Sequence, residues 1–225
     1  MFADDHHGTR CAGQIAAVKN DVCGVGIAYE SKVAGLRILS GPISDVDEAA
    51  ALNYGFQNTS IYSCSWGPPD DGMSMDAPGY LIKKAIVHGI EIGRQGKGSI
   101  FVFASGNGAA HGDQCNFDGY TNSIYSVTVA AIDYKGLHPY YSEPCAANMV
   151  VAYSSGSGKH VVRVTPCPLF RLLRPLSGNN RSWKERMFCD AWWNICSSTQ
   201  RCRCLCPRSG SSVGLSMIIT FYTDT

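Results

Sequence analysis

Apolar runs of strand length alternate with amphipathic helical stretches along this chain up to about residue 160. The apolar runs predict strands at residues 32–39, 60–66, 99–104, 124–132 and 149–153. Helix start signals and 3.6-residue spacing predict helices at residues 6–18, 44–54 and 78–94. Because strands that alternate with helices are typical of βαβ units, the sequence predicts an α/β fold with a mostly parallel β-sheet flanked by helices.

The run from Ser99 to Ala104 breaks into a Gly-Asn-Gly turn that carries Asn107. The carboxyl end of a buried parallel strand is where α/β enzymes place polar catalytic groups, and a carboxamide is a neutral donor that can stabilise an oxyanion. The alternative is that Asn107 only fills a left-handed turn position.

A second candidate, His7, begins a small-residue turn that leads into Ala-rich helix-forming sequence. The field at a helix N-terminus disfavours imidazolium and keeps the ring available as a base. The alternative is a solvated cap residue.

Composition narrows the class of protein. The chain has 225 residues, 45% of them apolar, 24 glycines and a net charge of +1, which does not favour nucleic acid or anionic membrane as a partner. No apolar run approaches the length of a membrane span, so no membrane segment is predicted. Of eleven cysteines, five are spread over the first 150 residues, which fits disulfides in an oxidising compartment, and six lie close together between Cys167 and Cys206.

Four motifs occur in one order: His7-Gly-Thr-Arg-Cys-Ala-Gly, Ser65-Trp-Gly-Pro, Ala104-Ser-Gly-Asn-Gly and Asp118-Gly-Tyr-Thr-Asn-Ser-Ile-Tyr. With them the chain closely resembles the proprotein convertases, the kexin and furin branch of the subtilisin-like serine proteases. Two further segments look most like those of fungal kexins, namely Leu137-His-Pro-Tyr-Tyr-Ser-Glu and Tyr153-Ser-Ser-Gly-Ser-Gly-Lys-His. The resemblance implies that residues 1–162 are a partial, incomplete subtilisin-like catalytic domain.

The resemblance also implies roles for individual residues. His7 matches the family's general base and Asn107 its oxyanion donor. Three carboxylates match the walls of a pocket for the arginine before the cleaved bond, namely Asp70, Asp76 and Asp118. Asp4 and Glu48 match acids that recognise basic side chains of the substrate next to that arginine. Several carboxylates around one guanidinium supply charge-assisted hydrogen bonds.

Calcium is the cofactor that the resemblance implies. Asp113 and Glu143 match ligands of a site beneath the arginine pocket. A second site would take backbone carbonyls and one side chain, with the matching positions Val18, Val22 and Gly24 for the carbonyls and Asn20 or Asp21 for the side chain. The loop there is one residue shorter than in furin. Cys115 and Cys145 match a family disulfide, and Cys11 matches the thiol beside the catalytic histidine.

Two family essentials are not found in this sequence. The triad aspartate is expected on a parallel strand upstream of His7. Without that strand, buried backbone groups of the sheet would be unpaired, and this predicts poor folding. The nucleophile motif Gly-Thr-Ser-Ala-Ala-Ala-Pro does not occur after Asn107. From Arg163 the strand and helix pattern stops and the sequence becomes rich in Arg, Cys and Trp. A zinc module is disfavoured because Cys202, Cys204 and Cys206 alternate and no histidine follows them.

The genetic code suggests an origin for residues 163–225. If the codons of residues 179–200 are read one base later, Trp183 with Lys184 forces a glycine and Met187 with Phe188 forces a cysteine. The other codons permit a string that contains Cys-Ser-Ala-Thr-His-Gly-Gly-Thr-Ser-Ala-Ala-Ala-Pro-Asn. The hypothesis is that residues 163–178 are a translated retained intron, or its equivalent in a faulty gene model, and that the rest is out of frame. Residues 163–225 would then be an aberrant tail and not a domain.

The sequence therefore predicts a fragment of a calcium-dependent serine endopeptidase that processes secretory proproteins after Lys-Arg or Arg-Arg pairs and is inactive as translated. The resemblance implies the secretory pathway, at the lumenal side of late Golgi or endosomal membranes, and full-length relatives that are often membrane-anchored. The alternatives are a truncated, non-catalytic protein that binds basic peptides, and a translation product without a function.

Overall fold

A computed structural model describes residues 7–21, 25–39, 41–155 and 217–222. For His7, Thr9, Arg10 and residues 217–222 it describes the backbone alone.

The described chain forms three α-helices, two 3-10 helices and one sheet of six strands. The helices are α1 (His7–Ala16), α2 (Asp45–Leu52) and α3 (Tyr80–Gly96). The strands are β1 (Lys32–Arg37), β2 (Ile61–Cys64), β3 (Ile100–Ala104), β4 (Ser126–Ile132), β5 (Asn148–Tyr153) and β6 (Met217–Tyr222), and the 3-10 helices are η1 (Ala109–His111) and η2 (Cys115–Phe117). The strand order is β1-β6-β2-β3-β4-β5.

Strands β2 to β5 form a parallel block, with β2 on β3, β3 on β4 and β4 on β5. Strand β6 is antiparallel to both of its neighbours, β1 and β2. The predicted α/β fold with a mostly parallel sheet is confirmed.

The start of α2 shows why local sequence produces this element. The Ser44 side chain accepts a hydrogen bond from the Asp47 backbone N–H at 3.2 Å, and its hydroxyl donates to Asp47 Oδ2 at 2.7 Å. The first bond is the N-cap half of a capping box and satisfies one of the N–H groups that no helical turn can pair, while the second joins the two side chains.

The core lies where the middle of the sheet meets α2 and α3. Tyr62 of β2 and Phe101 of β3 are fully buried and stack with ring centroids 4.7 Å apart. Leu52 of α2 and Ile82 of α3 cover them in the same apolar cluster. This rigid centre fixes the ends of β2 and β3, where the polar residues follow.

Two differences from the sequence prediction concern the strands. The apolar run at residues 32–39 predicts a buried strand, but β1 is the outer strand of the sheet, and four of its six residues are exposed. Met217–Tyr222 was not predicted as a strand, because it lies beyond the point where the regular pattern stops. The rest of the predicted aberrant tail lies outside the described residues. Among the described helices, none combines the length and the apolar character needed to cross a membrane.

Candidate functional site

Acidic side chains line a cleft at the carboxyl ends of β2, β3 and β4. The cleft holds about 250 Å³ of empty space, counted out to the solvent, and its carboxylates come from Asp70, Asp113, Asp118 and Glu143. The loop after β2 supplies Asp70, the segment after β3 supplies Asp113 and Asp118, and the loop between β4 and β5 supplies Glu143. Loops at this edge of a parallel sheet converge, which brings together acids that are far apart in the sequence.

Three of these acids form a tight group. One carboxylate oxygen from each of Asp70, Asp113 and Glu143 lies within 4.8 Å of the other two. Asp113 and Glu143 are buried, with 6% and 3% of their surface exposed, while Asp70 is exposed. Sequence reasoning assigned Asp70 to a substrate pocket and the other two to a metal site, whereas the structure groups all three.

The same three carboxylates hold the backbone of the surrounding loops. Asp70 Oδ2 accepts the backbone N–H of Asn107 at 2.7 Å, and Glu143 Oε1 accepts the backbone N–H of Gly108 at 2.8 Å. Asp113 Oδ2 accepts the N–H of Gly72 at 3.1 Å. Hydrogen bonds from Asn107 N–H and Gly108 N–H to Asp70 and Glu143 therefore hold the turn that presents Asn107.

Two glycines leave room for this arrangement. Gly106 has φ +103°, and a Cβ there would collide with Glu143 Oε1. A Cβ at Gly108 would lie 2.6 Å from the Cβ of Asp113. The Gly-Asn-Gly sequence is thus required by close approach of the acids, and at Gly106 also by backbone conformation.

Burial and the charges of neighbouring acids raise the pKa of two acids of the cleft, Glu143 and Asp118. Burial, with the charges of Asp70, Asp113 and Asp118, raises the pKa of Glu143 to about 7, against the lowering effect of the Gly108 N–H. Burial also raises the pKa of Asp118, although the N–H of Tyr120, which donates to Asp118 Oδ1 at 2.7 Å, favours its charged form. The charges that act on these two groups are all acidic, so a bound cation would relieve the repulsion.

A disulfide joins Cys115 to Cys145, with their Cα atoms 5.5 Å apart. Cys115 lies two residues after Asp113, and Cys145 lies two residues after Glu143. The pairing that the resemblance implied therefore connects the two loops that carry the buried acids.

Asp76 and Glu48 belong to a neighbouring group beside the cleft. Asp76 pairs with Asp118 through a short parallel bridge, and its Oδ1 accepts the N–H of Ala77 at 2.7 Å. Glu48, on α2, is buried and accepts a hydrogen bond from the Tyr120 hydroxyl at 2.5 Å. Burial raises the pKa of Glu48, the Tyr120 hydrogen bond lowers it, and the charges of Asp45 and Asp76 raise it further.

Asn107 is exposed at the rim of the cleft, and its carboxamide has no hydrogen-bond partner among the described residues. His7 is the first residue of α1, as predicted for a helix start, but its side chain lies outside the described part of the structure. Asp4 lies outside the described residues altogether.

The second calcium position is described in part. Asn20 Nδ2 donates to the Val18 carbonyl at 2.9 Å, so this carbonyl already has one partner. Asp21 is exposed, and Val22 and Gly24 lie outside the described residues.

Tyr120 contacts the acids beside the cleft, and sequence reasoning assigned it no role. Its ring contacts Trp66 and Phe103, with centroids 5.3 and 5.6 Å away, and its hydroxyl reaches Glu48. The sequence did offer a reason to consider Tyr120, because it lies inside the motif that begins at Asp118 and directly follows Gly119. Trp66, at the end of β2, has its indole N–H buried without a hydrogen-bond partner among the described residues.

Chemically, this arrangement is suited to binding cations. The tight group offers hard oxygen ligands from three separate loops, which is the donor chemistry that Ca²⁺ prefers. Asp118 and Asp70 also line the cleft, where a guanidinium could donate hydrogen bonds to both carboxylates.

Comparisons with known proteins agree with this fold. The family model described as the Subtilase family matches residues 3–212. A protein named Kexin from Candida albicans (strain WO-1) is 66% identical over 158 residues, which are 70% of this chain and 17% of that protein. A protein named dibasic-processing endoprotease from Yarrowia lipolytica is 65% identical over 159 residues, which are 71% of this chain and 16% of that protein.

The chain thus spans less than a fifth of the length of these relatives. A solved protease from Pseudoalteromonas arctica PAMC 21717 has a TM-score of 0.55 and 25% identity, over 68% of this chain and 45% of that chain.

Proposed function

Because the chain belongs to the subtilase family of serine peptidases, we propose that it carries part of the catalytic domain of an endopeptidase that cleaves secretory proproteins after Lys-Arg or Arg-Arg pairs. The observation that carries this proposal is the acidic cleft beside Asn107. A cleft lined by four carboxylates, with no basic side chain paired to them among the described residues, selects cationic side chains. The name of the Yarrowia relative, a dibasic-processing endoprotease, supports the same substrate class.

In the complete reaction the tasks are divided among these residues. A serine hydroxyl attacks the scissile carbonyl, His7 takes its proton and returns it to the leaving amine, and Asn107 donates a hydrogen bond to the oxyanion. Asp118 and Asp70 bind the arginine before the cleaved bond, and Asp76, Glu48 and Asp4 favour basic residues further along the substrate. Asp70 has a second task, because its bond to the Asn107 N–H orients the turn that presents the carboxamide.

Calcium dependence rests on the tight acidic group. Asp70, Asp113 and Glu143 would hold the ion, which would neutralise three mutually repelling carboxylates beside the substrate pocket. The disulfide between Cys115 and Cys145 and the hydrogen bonds to Gly72 and Gly108 keep these ligands in place. The loop that contains Asn20 would hold a second ion only if the Asn20 side-chain amide turned away from the Val18 carbonyl.

The nucleophile is the part that this chain does not encode in its present reading frame. We infer that residues 163–178 are translated intron and that residues 179–225 are read out of frame. Sequencing of the transcript across the codons of residues 162–208, beside the genomic DNA, tests this directly. A spliced message that encodes Gly-Thr-Ser-Ala-Ala-Ala-Pro is expected, and a message that encodes only the 225-residue chain would make it a protein without the catalytic serine.

The second candidate function is a non-catalytic protein that binds basic peptides, and the intact acidic cleft favours it if the message encodes only the 225-residue chain. Both functions require that the acidic cleft binds basic side chains, so peptide binding by the chain itself tests this shared requirement. A peptide that ends in Lys-Arg should bind at least about tenfold more weakly to Asp118→Asn, since a charge-assisted hydrogen bond contributes about 1.5–3 kcal/mol. Glu91→Gln, an equal change of charge at an exposed position on α3, is the control and should bind as the unaltered chain does. Equal affinities of the two variants would contradict the assignment of the cleft.

Secretory precursors as partners and a lumenal late-Golgi or endosomal location follow from the same proposal. The disulfide between Cys115 and Cys145 supports an oxidising compartment.

A further inference from the structure

The segment between α2 and β2 contains the tripeptide Asn58-Thr59-Ser60. An asparagine that is followed two residues later by serine or threonine, with no proline between them, is the acceptor sequence for N-linked glycosylation. None of the other asparagines among the described residues has a serine or threonine at that spacing. The tripeptide contributes no residue to the acidic cleft, so the proposed function does not account for it.

The structure leaves the side chain of Asn58 free at the surface. Asn58 is exposed, and its carboxamide has no hydrogen-bond partner among the described residues. Its backbone N–H donates to the Gly55 carbonyl at 2.8 Å. The residue before it is held by the end of α3, since Gln57 Oε1 accepts the N–H of Gln95 at 2.9 Å. The backbone of the turn is thus fixed, while the carboxamide is accessible from solvent.

The two residues after Asn58 are buried, which sets the order of events. Thr59 and Ser60 have 0% and 6% of their surface exposed. The Thr59 carbonyl accepts the Ser99 hydroxyl at 2.8 Å, and the Ser60 carbonyl accepts the N–H of Ile100 at 3.0 Å. Because the acceptor sequence is recognised through the hydroxyl of its third residue, transfer has to precede the pairing of β2 with β3. An unfolded chain that is entering the lumen meets this requirement.

Asn58 lies at the opposite end of β2 from the acidic cleft. It precedes the first residue of β2, whereas the cleft lies at the carboxyl ends of β2, β3 and β4. The four residues of β2 alone span about 10 Å. An oligosaccharide on Asn58 therefore leaves the cleft open to a substrate.

We propose that Asn58 is a site of N-linked glycosylation. The inference rests on the proposed location in the secretory pathway, where the donor is a lipid-linked oligosaccharide diphosphate. The Asn58 Nδ2 forms a bond to C1 of the first sugar, the bond between that carbon and the diphosphate breaks, and one proton of Nδ2 passes to the departing lipid diphosphate. The product carries a bulky, hydrophilic group on the side of the domain that lies away from the substrate.

Cell-free translation of the full chain behind a cleavable secretion signal, in the presence of microsomes, tests the site. Chains that are protected from added protease have entered the lumen, and because transfer precedes folding, the result does not depend on how well the chain folds. The test is made in chain that carries Asn180→Gln, since Asn180-Arg181-Ser182 is the one other acceptor sequence in the 225 residues. We expect most of the protected chains to migrate more slowly on a gel, and endoglycosidase H to abolish this shift.

Two variants show whether the shift belongs to Asn58. Asn58→Gln should remove it. Asn116→Gln is the matched control, because Asn116 is also exposed but is followed two residues later by Asp118, and this variant should keep the shift. Protected chains without a shift, or a shift that persists in Asn58→Gln, would overturn the proposal.

Peptide binding separates this inference from the proposed function. A peptide that ends in Lys-Arg should bind equally well to the purified glycosylated chain before and after endoglycosidase treatment, and weaker binding by the glycosylated chain would contradict the placement of the oligosaccharide. A chain that binds this peptide but is not glycosylated in the lumen would refute the inference and leave the proposed function intact. A glycosylated chain that does not distinguish this peptide from an uncharged one would do the reverse.

Discussion

At the scale of single residues, the acids of this chain differ by their surroundings more than by their type. Asp70 and Asp71 are adjacent in the sequence, yet Asp70 holds the Asn107 N–H while Asp71 accepts the N–H groups of Met73 and Ser74 in its own loop. Hydrogen bonds from that loop lower the pKa of Asp71, whereas burial raises the pKa of Glu143. A motif shows where such acids occur in the sequence. Only the three-dimensional structure shows whether an acid belongs to the acidic group, as Asp70 does, or accepts hydrogen bonds within its own loop, as Asp71 does.

Glu48→Gln should make the folded chain more stable at neutral pH than the unaltered chain. Burial raises the pKa of Glu48, so between its ordinary pKa and the raised one the folded state keeps a proton that the unfolded state has lost. The free energy of unfolding of the unaltered chain therefore falls as the pH rises through that window, and this loss is absent from the variant. The advantage of Glu48→Gln should grow as the pH rises and then stay constant.

Denaturant unfolding at a series of pH values measures this difference. Glu91→Gln, on the exposed face of α3, should show no advantage that depends on pH. An advantage of Glu48→Gln that is largest at low pH would contradict the raised pKa.

Gly106→Ala should lower calcium affinity about 10–100-fold, the usual range when the support of a metal ligand is removed. The new Cβ would collide with Glu143 Oε1 and would push the carboxylate out of the acidic group. Gly112→Ala is the matched control, because Gly112 also has a positive φ, +79°, but a Cβ there meets no atom within 4 Å. Calorimetric titration with Ca²⁺ compares the two variants, and equal losses of affinity would show that backbone strain alone is responsible.

At the scale of secondary-structure elements, much of the fold could be predicted because its signals are local. Ser44 with Asp47 specifies the start of α2, and the apolar run before Asn107 specifies β3. The pairing of strands could not be predicted, since it depends on contacts between distant residues. Strand β1 has an apolar sequence but lies at the outer edge of the sheet, and β6 enters from a region without a regular pattern. The candidate site shows the same division: motif matching found its acids, but not that Asp70 joins Asp113 and Glu143 or that Tyr120 meets Glu48.

The disulfide between Cys115 and Cys145 should stabilise the folded chain by about 2–4 kcal/mol, because it restricts the unfolded chain over 30 residues of sequence. The variants Cys115→Ser, Cys145→Ser and the double variant should lose similar amounts, since each removes the same bond. Denaturant unfolding of the three proteins checks this expectation. A double variant that loses the sum of the two single losses would indicate that the cysteines act separately.

At the scale of the whole molecule, the acidic cleft depends on the sheet behind it. The parallel block from β2 to β5 brings three loops together at one edge, and the disulfide and the glycines let their carboxylates approach one another. The unit of α1 and β1 joins this block through β6. Cation binding and presentation of Asn107 therefore depend on the same loops at the carboxyl ends of the parallel strands, because Asp70 takes part in both.

The central claim is that the carboxylates of the cleft recognise the positive charge of an arginine. The most direct measurement compares the affinity of the chain for two peptides, one ending in Lys-Arg and one ending in Lys-citrulline, in buffer that contains Ca²⁺. Citrulline has nearly the same shape as arginine but no charge, so the account predicts that its peptide binds at least about tenfold more weakly. Equal binding of the two peptides would contradict the account.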